Sequence, residues 1–386
     1  MSECQYYEFQ AVDRPLTAGE QQELRGLSTR AQITATRFVN SYEWGDFKGS
    51  PSRLVERMFD LHLHVSNWGS RRFFLRVPKQ FVDRIWLNGV LSEVDCVETR
   101  VVGENLVVEI ARDELDAEDF NEGSGQLAAL APLRANIMAG DLRMFYLLWL
   151  TAVEADVFAD DALEPLPGIG TLDGALNAFA EFFQIDTDLV AAAAERSAES
   201  SGGELQKNDI DAAMRALSET ERMDFLSRLY FGDPLVGALL RRRIRESVAE
   251  RERIAPPEAR TVGERTVGEL RARAAEISEA RKRAAEAAAQ AEREQREAAD
   301  AEAHKRRLAA VAARGEHAWR GVDDEIERRN AAGYDRATAL LLDLRDLAAS
   351  QEKTDAFEKR LDAVRQKHAR KGQFIERRRA LLEIVG

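Results

Sequence analysis

The residues with the most chemical potential are Asp60, His62 and His64. They alternate with Leu61, Leu63 and Val65, so on a β-strand all three side chains leave one face. Two imidazoles and a carboxylate on one face are donors suited to a divalent metal. The same alternation also describes a solvated polar face opposite an apolar one. No fourth ligand stands nearby at a spacing that would complete a site.

The other candidates are binding residues. Residues 42–49 (Tyr-Glu-Trp-Gly-Asp-Phe-Lys-Gly) hold three aromatics beside glycines. They suit an exposed recognition loop presenting Trp44 and Phe47, or a connection whose aromatics cap a core. Trp68 with Arg71 and Arg72 has the composition to stack a base or hold a phosphate, though the same residues occur at ordinary turns. Arg241, Arg242, Arg243 and Arg245 sit among Glu246, Glu250 and Glu252, which favours a solvated charged face. Arg365, Lys367, Arg370, Lys371, Arg377 and Arg378 form a more uniformly basic group. On one side of a helix they would grip nucleic-acid backbone. There is no Gly-rich phosphate loop with its Lys and no Gly-x-Ser-x-Gly nucleophile elbow, so no catalytic residue and no cofactor is expected. Cys96 reads as a small buried hydrophobe in a strand.

These residues need elements to position them. Residues 5–12, 33–39, 61–65, 73–77, 94–102 and 105–111 are strand-like, and residues 67–70 and 103–104 make hairpin turns. Thr17 with Glu20 forms a capping box that starts a short helix, Ser218 with Glu221 forms a second, and residues 51–59 have helical spacing. The pattern predicts an α+β domain over 1–122 with a mostly antiparallel sheet. After an acidic linker at 113–125, strand signals vanish. Helices are expected near 126–139, 141–157, 172–183, 186–199, 207–216, 219–230 and 234–253, giving an acidic all-α domain over 123–257. The apolar run 144–153 is half a membrane span and reads as a buried core helix.

Pro256 and Pro257 mark a boundary. Residues 258–314 are then rich in Ala, Glu and Arg, and predict one long charged helix projecting from a globular body. Its heptad passes through Val267, Leu270, Ala274 and Ile277, but Arg281, Gln295, Glu302 and Lys305 interrupt the seam. A spacer or weak coiled coil follows, in place of a strong dimer. Four apolar stripes after Gly315 begin at Trp319 (with Val322 and Ile326), Tyr334 (with Ala337, Leu341 and Leu344), Phe357 (with Leu361 and Val364) and Phe374 (with Ile375 and Leu381), and predict a C-terminal helical bundle over 315–386.

Charge narrows the partners. The chain is 386 residues long with a net charge of −13. Residues 1–150 hold 16 basic and 22 acidic side chains, residues 151–257 hold 11 and 21, and the remainder 28 and 25. The whole molecule is therefore unsuited to coating nucleic acid or an anionic membrane, and only the tail is slightly basic. Two cysteines, far apart, make neither a zinc knuckle nor a disulfide framework. They suit a reducing cytoplasm, and the first residues do not resemble a secretion signal.

Two stretches carry resemblances. Residues 5–9 (Gln-Tyr-Tyr-Glu-Phe) and 13–17 (Asp-Arg-Pro-Leu-Thr), with residues 42–49, resemble an uncharacterised family of bacterial proteins; that likeness implies no activity. Residues 334–337 (Tyr-Asp-Arg-Ala), 341–347 (Leu-Leu-Asp-Leu-Arg-Asp-Leu), Phe357 and 365–371 resemble the helical tail of some bacterial SWIM zinc-finger proteins. The Cys-x-Cys and Cys-x-His of that finger are missing, so only a helical module for protein contacts is implied.

Three functions are consistent with this reading. The first is a non-catalytic cytoplasmic interaction or scaffold protein whose extended helical C-terminal region docks a protein partner, with homo-oligomerisation compatible. The second is a nucleic-acid-associated accessory factor using the basic tail. The third is an enzyme or metal site near His62 and His64.

Overall fold

The computed structural model describes residues 4–43, 45, 47–116, 123–166, 168–196, 205–254 and 265–369. The chain opens as an α+β fold and continues as helices. Seven strands, β1 (Gln5–Gln10), β2 (Gln32–Ile33), β3 (Arg37–Tyr42), β4 (Leu61–Ser66), β5 (Arg71–Pro78), β6 (Val97–Val102) and β7 (Asn105–Arg112), form one sheet in the order β2-β3-β1-β4-β5-β7-β6. Every pairing is antiparallel, as expected from the hairpin signals.

Helices α1 (Ala18–Leu27), α2 (Pro51–Arg57) and α3 (Arg84–Leu91) are interleaved with the strands. The Thr17–Glu20 capping box at the start of α1 is present. Helix α3 was not anticipated; Asp83 caps it by accepting the N–H groups of Ile85 and Trp86. The turn between β4 and β5 falls on Gly69, where φ is +85° and a Cβ would sit 2.1 Å from the Leu115 carbonyl oxygen. Only glycine fits that close approach.

The next helices are α4 (Gln126–Leu130), α5 (Pro132–Met138), α6 (Arg143–Glu154), α7 (Gly174–Phe182), α8 (Thr187–Ala194), α9 (Lys207–Ala216), α10 (Glu219–Tyr230) and α11 (Val236–Ile254). The expected helix over 126–139 is two helices, because Pro132 removes a backbone N–H and starts a new one at its favoured first position. Helix α6 is the buried core helix that residues 144–153 predict.

Both faces of the sheet are covered, which explains why β4 is buried along its whole length. One face, carrying Leu61, Leu63, Val65, Phe73, Leu75 and Ile110, packs beneath α4 to α8. The other, carrying Phe9, Phe38 and Phe74, packs beneath α1 and α2 through Leu24, Leu54 and Val55. Each fully buried Leu or Phe contributes roughly 1.5–3 kcal/mol relative to exposure.

The expected division between 1–122 and 123–257 has no counterpart in this packing, since one apolar core runs across it. The compact unit spans Met1–Arg281, and a second spans Lys282–Gly386. The first turns of α12 (Val267–Arg314) belong to the first unit. Val267 and Leu270 are fully buried in its core. Arg271 is paired with Asp160 at 2.8 Å, Arg273 with Glu195 at 2.6 Å and Arg281 with Asp188 at 2.9 Å.

Helix α12 is continuous for 48 residues, or about 72 Å at 1.5 Å per residue. From 279 to 303 every residue is exposed. Alanine-rich composition and i,i+4 contacts such as Gln290–Glu294 and Glu302–Arg306 hold it helical there.

In the second unit, α13 (Glu316–Glu327), α14 (Ala331–Ser350) and α15 (Thr354–Lys367) form the C-terminal helices. Their core is Val322, Ile326, Tyr334, Leu341, Phe357 and Leu361, the residues of three of the expected stripes. The fourth stripe, from Phe374 on, lies outside the described residues.

Candidate interaction site

The β4 histidines occupy neither a metal site nor a solvated face. His62 is wholly buried and lies stacked on Phe9, with ring centroids 3.9 Å apart. Its Nδ1 is 2.9 Å from the Glu8 carbonyl oxygen, so Nδ1 carries the proton and donates it there. His64 lies against Tyr7 at 4.4 Å, and its Nε2 donates to Gln5 Oε1 at 3.2 Å. His62 Nε2 and His64 Nδ1 have no hydrogen-bond partner among the described residues. Burial drives the His62 pKa down to about 3. Burial, with the nearby Arg72 charge, holds that of His64 at about 4. Both imidazoles are neutral packing groups at pH 7.

Asp60 is separated from them by its bonding. Its Oδ1 accepts from Arg76 at 2.8 and 3.2 Å, and its Oδ2 from the backbone N–H groups of Val12 and Asp13 at 2.6 and 2.9 Å. Arg134 stands 3.8 Å away. Burial alone would raise this carboxyl, but the two amides and two guanidiniums more than offset it and hold its pKa below the ordinary value. Its oxygens are therefore committed to tying β4, β5 and α5 together. No group of three or more His, Cys, Asp or Glu side chains among the described residues is arranged to hold a metal.

The aromatic loop divides. Phe47 is buried, with its ring 5.2 Å from Tyr7 and 5.8 Å from Phe9, so it caps the core. Trp44 lies outside the described residues. Trp68 is exposed on the β4–β5 turn. The Arg71 guanidinium donates to the carbonyl oxygens of Phe182, at 2.5 Å, and Glu181, at the C-terminus of α7. A cation at a helix C-terminus meets the negative end of the backbone dipole. Arg72 faces Asp113 at 3.6 Å. Each arginine is therefore held by partners of its own.

The basic tail is partly neutralised. Arg365 pairs with Asp362 and Lys367 with Asp323, each at 2.8 Å. Arg370, Lys371, Arg377 and Arg378 lie outside the described residues. In α11, Arg243 pairs with Glu221 at 2.9 Å and Arg242 with Glu246 at 2.8 Å, as expected of a charged face.

A surface that the sequence did not single out lies on α10. None of its twelve residues is buried. Met223 is 57% exposed, Leu226 59%, Leu229 64%, Tyr230 85% and the following Phe231 82%. Met223, Leu226 and Tyr230 are spaced i, i+3, i+7 and so share one face of the helix. The helix is well built despite this. Ser218 and Glu221 form the expected capping box, and Arg243 clamps Glu221 from α11. Tyr230 and Phe231 meet edge to face at 5.3 Å. The apolar stripe was visible in the sequence, but a stripe looks the same whether a core covers it or water does.

No known protein family, no curated protein and no solved structure matches this chain. No helix among the described residues is long and apolar enough to cross a membrane.

Proposed function

We propose that this protein is a non-catalytic interaction protein, and that α10 is a face on which it docks a protein partner. The observation that carries this reading is the apolar stripe of Met223, Leu226 and Tyr230 standing exposed on a rigidly capped helix. Contiguous exposed apolar surface rimmed by polar residues is characteristic of protein contacts. Aromatic side chains and Met are the types that concentrate binding energy at such contacts. The large apolar side chains that remain exposed among the described residues all precede residue 232. This moves the leading docking element from the C-terminal bundle, where the sequence suggested it, to α10. The bundle remains a proposed second docking element, with the long helix as its spacer.

Affinity capture from the native cell tests this with three baits: the full chain, Met223→Glu/Tyr230→Glu, and a truncation after residue 281. Proteins, including untagged copies of the chain, that the full chain retains and the α10 variant loses support the reading. Identical captures from the full chain and the α10 variant overturn it.

A further inference from the structure

We infer that the partner of α10 is a second copy of this chain, bound helix against antiparallel helix across a two-fold axis. The inference rests on the reading of α10 as a docking face.

The first argument is area. At these exposures, Met223, Leu226, Leu229, Tyr230 and Phe231 together present on the order of 700 Å² of accessible surface, their polar atoms included. Its apolar part reaches the upper end of the roughly 300–600 Å² of a typical monomer's largest apolar patch. It approaches the roughly 800 Å² per partner of a stable interface.

The second argument is self-complementarity, which a two-fold contact demands because the same patch must serve both sides. The stripe is centred between Leu226 and Ser227. An antiparallel pairing about that point brings Leu226 of each copy beside the axis, offset by one residue. It sets Met223 against Tyr230 of the second copy at both ends. A thioether against an aromatic ring is a favourable contact, and the two-fold supplies it twice.

The third argument is charge. A chain with net charge −13 repels its own copy unless the contact is locally balanced. Here Glu221 is paired with Arg243, and Arg228 with Asp233 at 2.8 Å. The antiparallel pairing leaves those two ion pairs intact within each copy. It also sets the positive end of each helix dipole beside the negative end of the other.

Sedimentation equilibrium of the full chain decides it, with Leu226→Glu and Met223→Lys as variants. Both sites are exposed, and unchanged far-ultraviolet circular dichroism confirms that each variant folds. The expected result is a dimer that either substitution weakens by roughly 30-fold or more. A second variant, Ser227→Cys in a Cys4→Ser/Cys96→Ser background, places one thiol beside the two-fold; a short bis-maleimide should then link copy to copy. A wild-type chain that stays monomeric up to about 100 µM overturns the inference. So does a dimer indifferent to both substitutions. If the wild-type chain is monomeric while the α10 variants still lose a different captured protein, the docking reading stands and only the second copy is excluded.

Discussion

Arg265 and Glu164 form an ion pair at 2.8 Å in which both side chains are almost wholly buried. Tyr146 donates its hydroxyl to the same Glu164 oxygen at 2.7 Å, and Arg265 also donates to the Ala192 carbonyl. One residue to either side, Leu163 and Thr266 form a backbone bridge. This buried joint fastens the start of α12 to the first unit, and its loss is testable. Arg265→Met leaves Glu164 charged and buried, at a cost of about 3–5 kcal/mol. Urea unfolding should show that loss, and Glu164→Gln added to it should restore a large part. A single mutant within about 0.5 kcal/mol of wild type would mean that the joint is not structural.

His62 and His64 make stability depend on pH in a defined direction. Their folded pKa values are depressed to about 3 and about 4, while an unfolded histidine titrates near 6.5. Below pH 6.5 the unfolded chain binds protons that the folded chain refuses, so stability falls as pH drops toward 4. Each histidine contributes a slope of up to about 1.4 kcal/mol per pH unit across that window, and nothing above it. Comparing urea midpoints at pH 7 and pH 5, the wild type should lose on the order of 2 kcal/mol per buried histidine. His62→Phe, which fills the slot on Phe9 without titrating, should remove its share of that loss. An equal pH dependence in wild type and variant would show that the imidazole is protonated in the folded state.

Zinc should leave the protein unchanged. A metal that bound the folded chain would raise its unfolding midpoint in proportion to ln(1 + [L]/Kd). With both Asp60 oxygens committed to Arg76 and the Val12 and Asp13 amides, the donor set lacks its carboxylate. Thermal unfolding with and without excess zinc should coincide. A shift abolished by His64→Ala would show that Asp60 can be released.

Phe47 and Trp68 were both candidate contact aromatics, and their burial separates them. Phe47→Ala removes a ring packed on Tyr7, Phe9 and Phe38 and should cost about 3 kcal/mol or more. Trp68→Ala, on the exposed turn, should stay within about 0.5 kcal/mol. The reverse order would return residues 42–49 to the role of a recognition loop.

Local signals in the sequence were reliable where one residue pattern dictates one structure. Both capping boxes, the Gly69 turn, the hairpin strands and the three apolar stripes of the C-terminal helices all stand where their residues imply. What failed were inferences about what lies opposite a side chain. The alternation at His62 and His64 marked a distinct face but did not reveal that α1, α2 and Phe47 cover it. The loss of strand signals after residue 112 suggested a new domain, yet α4 to α8 complete the first core by packing on the sheet. Helix α3 was missed because eight residues bounded by Asp83 and Ser92 offer little periodicity. The α10 face has the same cause as the histidine error: periodicity gives an apolar side, and only the tertiary fold shows whether anything covers it.

The central claim, that a partner covers α10, is tested most directly by hydroxyl-radical footprinting of the full chain in native extract against the isolated Leu226→Glu variant. If the account holds, Met223, Tyr230 and Phe231 are protected in the extract and readily oxidised in the variant, while Trp68 is oxidised equally in both. Equal oxidation of Met223, Tyr230 and Phe231 in the two samples would contradict it.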